Sequence, residues 1–159
     1  MTIQHTFPYP SKPISITQNM CDYNGHMNVL YYSQIFGEAI EDFYVTTLGF
    51  SAEYFESGFS SFTLEDNVKY LKECFLGEVV VTRYRLHRVN EKLIHLVAVM
   101  LNEKDQLCAI YETILGHIDM DTRKIAPMKD PFFDNLRQIM QEHTQLDIDI
   151  SLRLQIKGF

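Results

Sequence analysis

Asp22-Tyr23-Asn24-Gly25-His26-Met27-Asn28 runs straight into Val29-Leu30-Tyr31-Tyr32-Ser33-Gln34-Ile35-Phe36, and the change of pattern between the two decides the fold. Asn24-Gly25 is a turn signal, because both residues accept left-handed backbone angles that other side chains resist. Beyond it Val29, Tyr32, Phe36, Ala39, Ile40 and Phe43 recur at spacings of three and four, while Leu30, Ile35 and Tyr44 widen the apolar surface. The spacing predicts a helix over 28–45, too apolar to bury only one narrow face. Asn28 can cap it by accepting a backbone N–H of the first turn, and the stretch up to Gly49 ends it.

On the N-terminal side, Pro8, Pro10 and Pro13 make residues 1–13 an extended arm or loop. Residues 14–20 alternate as a short half-buried strand. On the C-terminal side, 49–58 reads as a loop or short helical turn, and from Ser60 the period changes to two. Strands are predicted over 60–70, 78–88, 93–102 and 106–118, with tight reversals and no helix between them, which means an antiparallel sheet. Residues 119–127 are expected to leave the sheet, 131–143 to form a short helix, and 146–156 to add an edge strand or a tail packed on a partner. The fold class is therefore α+β: one domain over 1–159, with 1–13 as an arm, 128–159 as a C-terminal extension, and a curved sheet around one long helix. Such a sheet exposes an edge and an outer surface, both often covered by self-association.

Composition narrows the function classes. The chain has 159 residues, 46% of them hydrophobic and 22% charged, as in a folded globular protein. Lys and Arg total 14 against 21 Asp and Glu, a formal charge of −7 with the basic residues scattered, so no nucleic-acid surface is expected. Cys21, Cys74 and Cys108 match neither a zinc pattern nor a disulfide framework and read as reduced thiols. No secretory signal or membrane-spanning apolar run is visible, and the expected location is cytoplasmic. His87, His95 and His117 fall on separate predicted strands without a spacing that calls for metal, and Gly-rich nucleotide-binding, His-Glu-x-x-His and Gly-x-Ser-x-Gly patterns are absent. No metal or cofactor is expected.

The chemistry concentrates in the opening stretch. Asp22 sits where a strand gives way to a turn, and His26 and Asn28 lie at the start of the helix. A helix start presents unpaired N–H groups and partial positive charge, which stabilise negative charge developing on a carbonyl oxygen. A carboxylate beside it can attack the carbonyl carbon or activate water, so the constellation suits acyl transfer. The same residues also fit a purely structural role: an Asx-turn at Asp22, local carbonyl contacts at His26 and a simple cap at Asn28.

Asp22-x-x-Gly25-His26-Met27-Asn28, with Tyr32 and Glu38-Ala39 on the same helix, resembles the signature of hot-dog-fold acyl-CoA thioesterases of the 4-hydroxybenzoyl-CoA type. Val68-x-Tyr70-Leu71 and Gly77-Glu78 resemble that family's second strand and the turn into its third, and the likeness spans about residues 14–120. The resemblance implies hydrolysis of an acyl-CoA by Asp22 as nucleophile or general base. Gly25, His26 and the first helical turn would polarise the carbonyl, and His26 and Asn28 would orient loop or substrate. It implies a homodimer or homotetramer, with Tyr23, Gly25, Met27, Tyr32 and Glu38 near substrate and Glu65, Asn67 or Lys69 contributed by a neighbouring subunit. Met20-Cys21-Asp22 and Asn28-Val29 depart from the commoner Asp-x-Asp and Asn-Asn. The longer form, with Thr63-Leu64-Glu65 and Tyr70-Leu71-Lys72-Glu73, resembles the branch of betainyl-CoA and carnitine breakdown, which would favour an aromatic and acidic pocket drawn from Tyr23, Tyr31, Phe36, Phe59 or Phe62. A hydratase or dehydratase on the same fold, and a non-catalytic acyl-CoA-binding or assembly domain, are the alternatives.

Overall fold

The computed structural model describes residues 2–144 and 149–157. The first helix, α1 (Ile3–Thr6), is followed by two-residue strands β1 (Tyr9–Pro10) and β2 (Ile14–Ser15), which both pair with the edge of a later strand. The strand expected over 14–20 is thus only its first two residues. After Ser15 the chain leaves the sheet and Gln18–Met20 forms a 3-10 turn that leads into the Asp22 loop.

The long helix begins on schedule and bends. α2 (Val29–Ala39) and α3 (Glu41–Phe43) are continued by a π-turn over Tyr44–Leu48, ended by Gly49 at a left-handed φ of 88°. The bend has an identifiable partner: the buried Tyr84 hydroxyl donates to the Phe36 carbonyl at 3.0 Å, near where α2 gives way to α3. Tyr32, Ile35, Phe36, Ile40, Phe43 and Leu48 are buried, whereas Leu30 remains 73% exposed, so the extra apolar surface at the helix start faces outward. α4 (Ala52–Glu56) follows, capped by the Ser51 hydroxyl.

β3 (Phe59–Tyr70), β4 (Val79–Val89), β5 (Leu93–Asn102) and β6 (Leu107–Asp119) match the four predicted strands to within a residue at each end. With β1, β2 and the short strand β7 (Lys124–Ile125), where the sequence suggested departure from the sheet, they form a seven-stranded antiparallel sheet whose main path is β1-β4-β5-β6-β3, with β2 on β4 and β7 on β6. Its inner face carries Tyr84, Leu86, Leu96, Ala98, Met100 and Tyr111 against the helix, with Phe36 stacked on Tyr111 at 5.1 Å. A curved antiparallel sheet around a bent central helix is the hot-dog fold.

β5 and β6 are buried on both faces because the chain covers its own outer surface. Phe7, Val97, Val99 and Ile110 form a second cluster with Ile3, Ile150 and Leu152. α5 (Phe132–Thr144) closes the β4 edge, where the Leu86 N–H donates to His143 Nδ1 at 3.2 Å. Of the strand expected over 146–156, residues 145–148 lie outside the described residues and 149–157 form no strand. That tail is held instead by Glu112. Its buried carboxylate accepts the N–H groups of Arg153 at 2.9 Å and Leu154 at 3.0 Å, and Asn67 Nδ2 at 3.2 Å, with His95 Nε2 at 3.4 Å. Such bonds satisfy the tail's backbone as a ladder would, without making it a strand.

Burial alone would raise the Glu112 pKa, but the bonds from His95, Arg153 and Leu154 hold it below the usual carboxylate range. At His87, burial first and then the neighbouring His95, Arg88 and Arg85 push the imidazole down to about 3. Folded His87 therefore stays neutral where the unfolded chain protonates, below about pH 6.5. The unfolded state then binds more protons, so stability falls as pH drops from there, and Glu112 adds a further loss lower down, as pH falls through its depressed range. Two outcomes follow for urea unfolding. Glu112→Ala, which removes the carboxylate that accepts the Arg153 and Leu154 N–H groups, is expected to cost about 1–3 kcal/mol. His87→Leu is expected to flatten the stability decline between about pH 7 and 5; an unchanged slope would contradict its neutral burial.

Candidate functional site

Backbone pairing builds the site. Met27 N–H donates to the Cys74 carbonyl at 2.8 Å and Asn28 N–H to the Met20 carbonyl at 2.9 Å, so the 22–28 loop is stitched to the 71–78 loop on one side and to the 3-10 turn on the other. Asp22 N–H donates to the His26 carbonyl at 3.1 Å and Gly25 N–H returns to the Asp22 carbonyl at 3.0 Å, closing the turn. Gly25 supplies the φ of 83° that this return demands. The Asp22 Oδ1 accepts the Asn24 N–H at 2.9 Å, as the Asx-turn reading expects, and its other oxygen has no partner among the described residues. The turn role and a chemical role are therefore compatible, each using a different oxygen.

Asn28 Oδ1 accepts the Leu30 N–H at 3.0 Å and so caps α2. The N–H of Val29, the first helical residue, donates to no acceptor among the described residues, and Val29 is 52% exposed. An unpaired N–H of this kind lies at the positive end of the helix dipole. Beside it lies a cavity of about 240 Å³ lined by His26, Met27, Val29 and Tyr32 from the helix side and by Tyr70, Leu71, Lys72 and Glu73 from the end of β3. His26 Nδ1 is 3.1 Å from the Met27 carbonyl, and its Nε2 is 3.6 Å from Glu73 Oε1. Tyr32, whose hydroxyl donates to the Lys72 carbonyl at 3.4 Å, has its pKa raised, chiefly by burial. Beneath it Cys74 and Cys108 are buried thiols: hydrogen bonding between them lowers the first and raises the second.

Asp22, Gly25, His26 and Asn28 share one hydrogen-bonded loop, and of the predicted residues His26, Met27 and Tyr32 line the cavity, whereas Asp22, Gly25 and Asn28 are not among its lining residues. Tyr23 is fully exposed on the same loop. Glu38 is elsewhere: it accepts from Gln34 Nε2 at 2.8 Å and lines a separate cleft of about 350 Å³ between α2–α3 and β1, with Glu41, Asp42 and Tyr9. At ten residues from the cap it is about 15 Å along the helix from Asn28. Glu65, Asn67 and Lys69 pair with Ile114, Glu112 and Ile110, on the sheet face away from the helix, and Asn67 is bonded to Glu112. The β3 residues on the helix side are Asp66, bonded to the Tyr111 hydroxyl at 3.0 Å, then Val68 and Tyr70. Glu73, which the sequence placed in Tyr70-Leu71-Lys72-Glu73 without a role of its own, is a cavity residue. Its signal was that stretch and its place three residues past the end of β3.

The sequence model of the thioesterase-like superfamily matches residues 16–136, and the chain belongs to that family. It is 31% identical over 127 residues to an L-carnitine dehydrogenase/betainyl-CoA thioesterase of Rhizobium meliloti, covering 79% of this chain and 25% of that protein. It therefore spans about a quarter of such fused relatives. A betainyl-CoA thioesterase of Pseudomonas aeruginosa is 29% identical over 129 residues, 80% of either chain. Among solved structures, a Staphylococcus aureus protein in complex with CoA superposes with a TM-score of 0.75 at 23% identity, over 89% of this chain and 94% of that one. That likeness concerns the fold. Among the described residues no helix is long and apolar enough to cross a membrane.

The cap sets the helix start and hence the Val29 N–H. Asn28→Ala is expected to cost about 1 kcal/mol in urea unfolding. Asn28→Asp, which keeps the acceptor, is expected to restore most of that loss; equal losses in both would show that the side chain does not cap the helix.

Proposed function

We propose that the chain hydrolyses acyl-CoA thioesters to the free acid and CoA, with betainyl-CoA as substrate. The observation that carries this reading is the half-buried Asp22 carboxylate, with one oxygen unpartnered, on the turn that leads into the free Val29 N–H. With the thioester carbonyl directed at that N–H and the helix start, charge developing on its oxygen meets a fixed donor and the positive helix end. Asp22 then acts in one of two ways. It attacks the carbonyl carbon, expels CoA as thiolate and leaves an anhydride that water opens, or it takes a proton from a water that attacks directly. Either path consumes one water and yields acid and thiol. His26, held at Nδ1 by the Met27 carbonyl, and Asn28 keep the loop in place. The betainyl assignment draws on the relatives that carry this name and on the Glu73 carboxylate and Tyr70 ring of the cavity.

The active form is proposed to be a homo-oligomer. Among the described residues β3 has a ladder partner on one side only along its twelve residues, and Leu71, Phe75 and Leu76 are exposed beyond its end. An open edge flanked by apolar side chains is the kind of surface that pairs with a second copy.

Asp22→Asn keeps an oxygen for the Asn24 N–H, so the fold is expected to be unchanged. Free-thiol release from betainyl-CoA is expected to fall about 100-fold or more. Turnover retained by the folded variant would remove Asp22 from the mechanism.

A further inference from the structure

The cavity at the start of α2 has walls that the hydrolytic step does not use. Tyr32 is buried and lies edge-on to Tyr70, with centroids 5.1 Å apart and an interplanar angle of 80°. Tyr70 is nevertheless 48% exposed, so an aromatic surface is left available at the cavity mouth. Glu73 adds a carboxylate whose side chain is 61% exposed, close enough to His26 to stay beside the cavity yet not enclosed in a hydrogen-bond network. Lys72 is the one cationic side chain among the lining residues. It forms no salt bridge among the described residues, and it is the Lys72 backbone carbonyl that the structure engages.

We infer that Glu73, together with the exposed ring of Tyr70 that the buried Tyr32 backs edge-on, forms the subsite that selects a cationic acyl group. The inference rests on the thioesterase reading above and assigns the residues that give it its substrate. A quaternary ammonium has no N–H to donate, so it is recognised by aromatic surface and by carboxylate charge, and this cavity offers both next to the carbonyl-polarising helix start. A neutral acyl group of the same shape gains the ring contacts but withdraws Glu73 from water without neutralising it. Selectivity is the difference between the two. The aromatic residues concerned are not the ones that the sequence suggested for this role: Phe36 is fully buried against Tyr111, and Tyr23 projects from the loop into solvent.

The test compares kcat/KM for betainyl-CoA and for 3,3-dimethylbutanoyl-CoA, in which carbon replaces the ammonium nitrogen, in the wild type, Glu73→Gln and Tyr70→Leu. The wild type is expected to prefer the cationic substrate. Glu73→Gln is expected to remove about tenfold of that preference, mainly through KM, with the neutral substrate unaffected. Tyr70→Leu, a change at an exposed position, is expected to reduce the same ratio. Equal loss on both substrates in Glu73→Gln would overturn the proposal, because Glu73 would then act through His26. So would a wild type that hydrolyses both thioesters without preference. Turnover of other acyl-CoAs but neither of these would overturn both the subsite and the betainyl assignment, whereas thiol release from no acyl-CoA would overturn the thioesterase reading itself.

Discussion

Two backbone hydrogen bonds, from Met27 to Cys74 and from Asn28 to Met20, determine where the central helix begins, and the site exists because of that position. The first ties the helix entry to the loop that follows β3; the second ties it to the turn that follows β2. With the entry fixed at both sides, Asn28 caps the helix, the Val29 N–H is left without an acceptor among the described residues, and Asp22 is carried on the turn that precedes them. The packing of Phe36 on Tyr111 and the bond from Tyr84 to the Phe36 carbonyl then hold the helix body against the sheet. A shift of the entry by one residue would rotate the helix by about 100° and move each of these groups off its partner.

The outer face shows how the same sheet is made self-sufficient on its other side. An exposed β5–β6 surface would present Val97, Val99 and Ile110 to water, but the N-terminal segment and the C-terminal tail lie across it. The tail contributes little secondary structure of its own; Ile150 and Leu152 pack on the outer cluster, Asn90 donates to the Lys157 carbonyl, and the Glu112 carboxylate accepts the consecutive N–H groups of Arg153 and Leu154. Asn67 joins the same carboxylate and thereby links the edge strand β3 to the tail.

What the sequence disclosed followed from periodicity and from turn chemistry. The helix start at Asn28, the four long strands and their antiparallel order could be read because each apolar pattern holds over many residues. The two-residue strands β1, β2 and β7 carry too few residues for a period, and they exist only because a neighbouring edge was available. The β3 site residues illustrate a different limit. Alternation separates Glu65, Asn67 and Lys69 from Asp66, Val68 and Tyr70 but does not say which set meets the helix. A bulge at Thr63/Glu65 further turns Leu64 toward Gly116 on the outer face. Asp22, His26 and Asn28 were legible because they are adjacent in sequence, whereas Glu73 reaches His26 only after the whole strand is placed. The near-continuous apolar runs Ile94 to Leu101 and Cys108 to Leu115 did carry a sign of two-sided burial, and the tail that supplies the second side has no comparable pattern.

In the mechanism we propose, the thioester carbonyl docks at the start of α2. This docking is tested most directly by backbone-amide chemical shifts of the folded protein on addition of a non-hydrolysable ketone analogue of betainyl-CoA. The largest shifts are expected at Gly25, His26, Val29 and Leu30, with Val29 moving in the direction of a newly formed hydrogen bond. Shifts confined to the cleft between β1 and α2–α3, at Tyr9, Glu38 and Phe43, with the Gly25 to Leu30 amides unmoved, would contradict it.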